Sequence, residues 1–214
     1  MMKNRLEQQL RMVLDEMAEA ANKAGRDSKE ISLMAVSKLH PYEEIQQLWG
    51  FGQNLFGENR VQEVQQKFPV IRPEGMKVQL IGHLQTNKAK KALELFDGID
   101  SVDSLKLARK LENLLDRPFP ILLELKTAEE ETKSGFADEA ELFTALDEIA
   151  GFTHLKVKGL MTIGPLGGDE KETRSAFSRL RTVYQQIQDR YPVLPLETLS
   201  MGMSSDYRWA IAEG

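Results

Sequence analysis

Ile31-Ser32-Leu33-Met34-Ala35-Val36-Ser37-Lys38-Leu39-His40-Pro41 decides the fold. The mostly apolar run 31–37 reads as a strand that ends on a lysine. An open, doubly wound sheet would usually carry a glycine-rich phosphate turn after its first strand. Here that place holds Ser37-Lys38-Leu39-His40-Pro41. A parallel barrel is the better reading, and it places Lys38 at the carboxyl end of a strand, on the face where such barrels carry their chemistry.

Outward from this stretch the pattern repeats. On its amino-terminal side, apolar residues at Leu6, Leu10, Val13, Leu14 and Met17 recur at helical spacing until Gly25 stops them, so a long first helix precedes the strand. On its carboxyl-terminal side, short apolar runs at 54–56, 77–81, 98–102, 119–125, 155–163 and 196–201 read as six more strands. Amphipathic segments such as 42–49, 104–115, 140–149 and 172–191 lie between them. Strand and helix alternation implies a parallel sheet with right-handed crossovers. The expected fold is a TIM-type (β/α)8 barrel with an extra N-terminal helix. Its eighth strand is missing from this chain, because 205–213 reads as helix and the sequence stops at Gly214. With no repeat or linker, and Pro165 to Asp169 as the longest loop candidate, residues 1–214 are expected to form one domain.

Composition narrows the function classes. The chain of 214 residues is 41% hydrophobic and 29% charged, as in an ordinary folded protein. A net charge of −5 gives no basic footprint for nucleic acid or an anionic membrane. The absence of cysteine excludes disulfides, thiolate metal sites and a cysteine nucleophile, and it suits a reducing compartment. No apolar run is long enough to span a bilayer and the opening residues are polar, so a soluble, cytoplasmic protein is expected. His40, His83 and His154 have no carboxylate or second histidine at ligand spacing and read as polar surface or loop residues, so no metal site is expected.

Four segments could carry chemistry. A strand-end lysine desolvated in a barrel mouth keeps more of its amine free to attack an aldehyde, although a lysine at that position can equally reach out to solvent. Leu199-Ser200-Met201-Gly202-Met203-Ser204-Ser205-Asp206 has the hydroxyls, glycine and helix start that suit a phosphate, while Ser204 or Ser205 could simply cap the helix. Phe56-Gly57-Glu58-Asn59-Arg60 closes the second strand, with Glu58 and Arg60 as candidates for a rim ion pair. Ile81-Gly82-His83-Leu84-Gln85 ends the third, where Gly82 allows a backbone or a ligand to come close.

Taken together, Ala35-Val36-Ser37-Lys38, Phe56-Gly57-Glu58-Asn59, Ile81-Gly82-His83-Leu84-Gln85, Lys133-Ser134-Gly135, Gly159-Leu160-Met161 and Leu199-Ser200-Met201-Gly202-Met203-Ser204 resemble the pyridoxal phosphate (PLP) homeostasis proteins. The barrel of that family is like the N-terminal domain of alanine racemase. The resemblance implies PLP as cofactor, Lys38 as its Schiff-base lysine, Ser200 as a phosphate ligand, Asn59 in the pocket wall and Ser204 as a further cofactor contact. It implies a carrier or buffer of PLP, handing it to PLP-dependent apo-enzymes, without catalytic turnover. A monomer is expected, since closed barrels hide their edges.

The chain departs from the family pattern in three places. Val78-Gln79-Leu80 stands where the family often has Trp-His-Phe, and Lys126 where asparagine is frequent. The third is the eighth strand and the Arg-Ile-Gly-Thr-like turn after it, which do not follow the last helix. Two other readings predict different behaviour. A small PLP enzyme such as an amino-acid racemase would turn over an amino acid, and an interaction module that has lost PLP would show no cofactor absorbance. Lys133 could accept PLP secondarily, although a solvated charge accounts for it as well.

Overall fold

The computed structural model describes residues 2–69, 71–128 and 134–214. Seven parallel strands form one sheet in chain order: β1 (Ala35–Val36), β2 (Leu55–Glu58), β3 (Lys77–Leu80), β4 (Gly98–Val102), β5 (Phe119–Glu124), β6 (Leu155–Met161) and β7 (Thr198–Ser200). The helices are α1 (Met2–Lys23), α2 (Tyr42–Gly50), α3 (Val61–Lys67), α4 (Ala89–Leu95), α5 (Leu105–Glu112), α6 (Glu139–Ile149), α7 (Glu170–Arg190) and α8 (Tyr207–Glu213). Strand order equal to chain order, with helices in the crossovers, is the winding of a barrel rather than of a sheet that reverses at a switch point.

The sheet curls. Asp100 on β4 meets the Ser200 side chain on β7, although two strands lie between them in the order, so the face that carries both is concave. On the other face Phe56, Val78, Leu80 and Ile99 are fully buried in a continuous core with Leu107, Leu111, Leu142 and Leu146 of the surrounding helices. Every residue of β4 is buried, as expected of a central strand covered on both faces. Among the described residues the strands number seven, β1 and β7 are the edges and are not paired with one another, in keeping with the reading of a barrel that lacks its eighth strand.

β1 is shorter than the run 31–37 suggested. Only Ala35 and Val36 pair with β2, while Leu33 upstream has its carbonyl taken by the Gln53 side chain at 2.8 Å. Ile31 and Leu33 instead pack with α1 and α8, in a second small core of Met17, Ala21 and Ile211. α7 begins at Glu170, earlier than its apolar pattern suggests, because Asp169 and Glu172 form a capping box. Among the described residues no helix is long and apolar enough to cross a membrane.

Candidate active face of the barrel

The carboxyl ends of the strands bring the motif residues to one end of the sheet. Lys38 follows β1 in a turn and is exposed, so the desolvation expected of it from position is not seen. No carboxylate pairs with its amine among the described residues, in contrast to Lys67, which is held in two ion pairs. Asn59 follows β2 and is half-buried. The backbone that approaches Gly82 is that of Asn59: a Cβ on Gly82 would lie 2.4 Å from the Asn59 carbonyl oxygen. Gly82 therefore sets how closely the ends of β2 and β3 come together.

On the opposite edge strand, half-buried Ser200 ends β7 and its carbonyl accepts from the Thr162 N–H at 3.1 Å. Its hydroxyl bonds to Asp100, whose carboxyl burial pushes up to about 7, the Ser200 bond opposing that rise only in part. Gly202 turns the chain at φ 89°, where a Cβ would meet Ala210 Cβ at 2.8 Å and Tyr207 Cα at 2.9 Å, so the 200–206 loop lies close against α8. Ser204 is exposed in this loop. The N-cap of α8 is Asp206, with no side-chain capping bond, and the Asp206 carboxylate instead accepts from the Met203 N–H at 2.5 Å. Neither Ser204 nor Ser205 is spent on capping the helix.

A third group of side chains gathers at the ends of β3 to β5. His83 Nδ1 lies 2.7 Å from Asp103 Oδ2. Glu124, 2% exposed, receives the Ser134 hydroxyl at 2.9 and 3.0 Å from its two oxygens. Burial raises its carboxyl above the ordinary range, reinforced by Asp103 and opposed by the Ser134 bond and by the neighbouring His83 and Lys126. Lys126 is thus part of the electrostatics of the mouth. Lys133 lies outside the described residues.

Several roles differ from the sequence expectation. Glu58 is not a rim residue: it is fully buried and bonded to Ser37 and Lys67, while Arg60 stays exposed. Each histidine has a carboxylate partner in space, His40 with Glu44 at 2.8 Å, His83 with Asp103 and His154 with Glu112 at 3.4 Å. No three such groups come together to hold a metal ion among the described residues. Asp100 and Glu124 were missed, although a carboxylate inside an otherwise apolar strand run was a visible signal at both positions.

A curled parallel sheet with a lysine after its first strand and a serine-glycine loop after its seventh defines a barrel of the alanine racemase N-terminal class. Residues 12–213 match the family described as "Alanine racemase, N-terminal domain". The pyridoxal phosphate homeostasis protein of Pasteurella multocida (strain Pm70) is 32% identical over 214 residues, covering 98% of this chain and 91% of that protein. The solved structure of PipY from Synechococcus elongatus with PLP bound is 38% identical with a TM-score of 0.80, over 92% of this chain and 94% of PipY. An alanine racemase from Clostridium difficile 630 is 14% identical with a TM-score of 0.71, over 92% of this chain and 51% of the racemase, and shares the fold. The chain belongs to the pyridoxal phosphate homeostasis protein family.

Proposed function

We propose that residues 1–214 act as one unit that holds PLP through Lys38 and serves as a carrier or buffer in PLP homeostasis, without turnover. The observation that carries this reading is the exposed amine of Lys38, unpaired among the described residues, at the carboxyl end of β1 and on the same end of the sheet as Ser200 and Ser204. The names of the relatives and the PLP-bound PipY structure support it. PLP supplies an aldehyde for the amine and a phosphate for the loop after β7.

The chain's own groups fit those two ends. Lys38 would hold PLP through its Nζ, for which the cofactor's aldehyde would supply the electrophile, an attachment that needs no oxidant or reductant. Asn59 walls the pocket beside Lys38, and Ser200 and Ser204 offer hydroxyl hydrogens to phosphate oxygens. Asp100 governs the first of these. Ionised, its carboxylate draws the Ser200 hydroxyl hydrogen to itself. Protonated, it donates to Ser200 Oγ and leaves that hydrogen for a phosphate. The carrier works as a monomer in the cytoplasm, and PLP-dependent apo-enzymes are its recipients.

The test is titration with PLP, borohydride reduction and peptide mass mapping of wild type and Lys38→Ala, with light scattering for the oligomeric state. A pyridoxyl group on Lys38, absent from the variant, is the expected result. Labelling spread evenly over surface lysines would overturn the reading. Steady turnover of an amino acid that is lost in Lys38→Ala would replace the carrier with an enzyme.

A further inference from the structure

The Lys38 side chain has no partner among the described residues, but the two peptide groups that flank it do. The carbonyl before it, Ser37 C=O, accepts from Lys67 Nζ at 2.8 Å, and the N–H after it, on Leu39, donates to Glu63 Oε1 at 2.6 Å. Both partners come from α3. Lys67 is in turn bound to the fully buried Glu58 of β2 at 2.6 Å, and the Ser37 hydroxyl donates to the same Glu58 oxygen at 2.6 Å. Glu63 lies 3.3 Å from Lys67 Nζ and closes the set.

Two physical points set this network apart from ordinary packing. A buried ion pair is a poor source of stability, because desolvation offsets most of its attraction, and here Glu58 Oε2 is left without any partner. Leu39 is the single non-glycine residue with positive φ among the described residues, at 65°, a strained conformation that persists only where its surroundings impose it. Leu39 is 89% exposed, so its side chain gains nothing from the arrangement. What the turn fixes is the backbone on both sides of Lys38.

We propose that Lys67, Glu58 and Glu63 are positioning residues that clamp the Ser37–Leu39 turn and so aim the Lys38 amine for attachment of PLP. The inference rests on Lys38 being the attachment point. The net lowering of the Glu63 carboxyl, whose largest cause is the Leu39 N–H bond, agrees with a charged acceptor held at that turn.

The deciding variant is Glu63→Ala, because it removes the Leu39 acceptor from the side of α3 and leaves the buried Lys67–Glu58 pair in place. Glu63→Gln, which keeps an oxygen acceptor of the same reach, is its rescue. The readouts are the rate at which the cofactor absorbance band grows on mixing with PLP, the fraction of pyridoxyl label on Lys38 after borohydride, and the induced circular dichroism of the bound band. Thermal melting serves as the control for folding. Glu63→Ala is expected to melt within a few degrees of wild type, to label Lys38 about tenfold more slowly and to lose most of the induced dichroism; misplacement of a reacting group by about 1 Å has effects of this order or larger. Glu63→Gln is expected to recover most of both. Wild-type rate, label and dichroism in Glu63→Ala would overturn the clamp. Failure of the wild type to label Lys38 would overturn the attachment site instead. Lys67→Met, which keeps the stem and removes the charge, is expected to lose the same signals where it still melts cooperatively.

Discussion

Asp100 is the residue in which the chemistry of the site and the stability of the fold meet. It is 5% exposed, and burial raises its carboxyl from 3.8 to about 7. The folded chain therefore keeps a proton that the unfolded chain releases. The associated stability is fully present below the unfolded value of 3.8 and is lost as pH rises to about 7, beyond which the curve flattens. A shift of this size corresponds to at most roughly 4 kcal/mol. Asp100→Asn, which cannot ionise, is expected to remove most of that slope and to be more stable than wild type at pH 8 by roughly 2–4 kcal/mol, with little difference near pH 4. Urea unfolding of both proteins without cofactor at the two pH values is the check; an equal gap at both would mean that Asp100 is not titrating in the fold. The places of Lys38 just after β1 and of Ser200 at the end of β7 were legible in the sequence because each lies in a short motif beside an apolar run. The Asp100–Ser200 contact was not, because only the curl of the sheet brings β4 to β7. The carboxylate partners of His83 and His154 were hidden for the same reason, lying on neighbouring elements rather than at helical spacing, whereas the His40–Glu44 pair was open to reading in the sequence.

Among the elements, β6 shows how a helix end can set the start of a strand. Glu112, the last residue of α5, accepts from the N–H groups of Thr153 at 2.8 Å, His154 at 3.1 Å and Leu155 at 2.8 Å. Burial pushes its carboxyl up, but the three N–H donors outweigh it and the net shift is downward. Its contribution is thus present above the ordinary carboxylate range and is lost as pH falls through the lowered folded value. Glu112→Ala leaves three donors without their acceptor and is expected to cost about 2 kcal/mol by urea unfolding at neutral pH. Glu112→Gln, which can serve one or two of the donors, should lose less, and equal losses would argue that the carboxylate's charge rather than its lone pairs is what matters. The apolar runs identified every strand but overstated the edge strands. Pairing stops at Val36 in β1 and begins at Thr198 in β7 because each has a neighbour on one side only, and side chains such as Gln53 take over the remaining backbone groups. Central strands such as β4 and β5 matched their runs closely, since burial on both faces makes sequence hydrophobicity and strand length the same signal.

At the scale of the whole molecule, α1 joins the two edges of the sheet. Its buried Met17 and Ala21 form a small core with Ile211 of α8, and Ile31 and Leu33, which lead into β1, pack against it with Tyr207. Polar contacts run the same way: Arg26 donates to the Ile211 carbonyl at 2.9 Å, Arg208 pairs with Glu16 at 2.5 Å, and the Tyr207 hydroxyl bonds to Glu16. The approach to Lys38 and the helix behind the Ser200–Asp206 loop are therefore held by one element, separate from the main core beneath the strands. Ala21 is fully buried there, so Ala21→Glu, which would carry a charge into this small core, should detach α1 locally at a cost of roughly 3 kcal/mol. Native-state hydrogen exchange is expected to show lost protection in α1 and α8 while the amides of β3 to β6 keep theirs, because those strands draw on a different core. The same variant should label Lys38 with PLP about tenfold less at a fixed subsaturating concentration, since both ends of the site lose the element that relates them. Loss of protection throughout the sheet would instead make α1 part of a single cooperative unit, and unchanged labelling would mean that the two edges are held in register by the sheet alone.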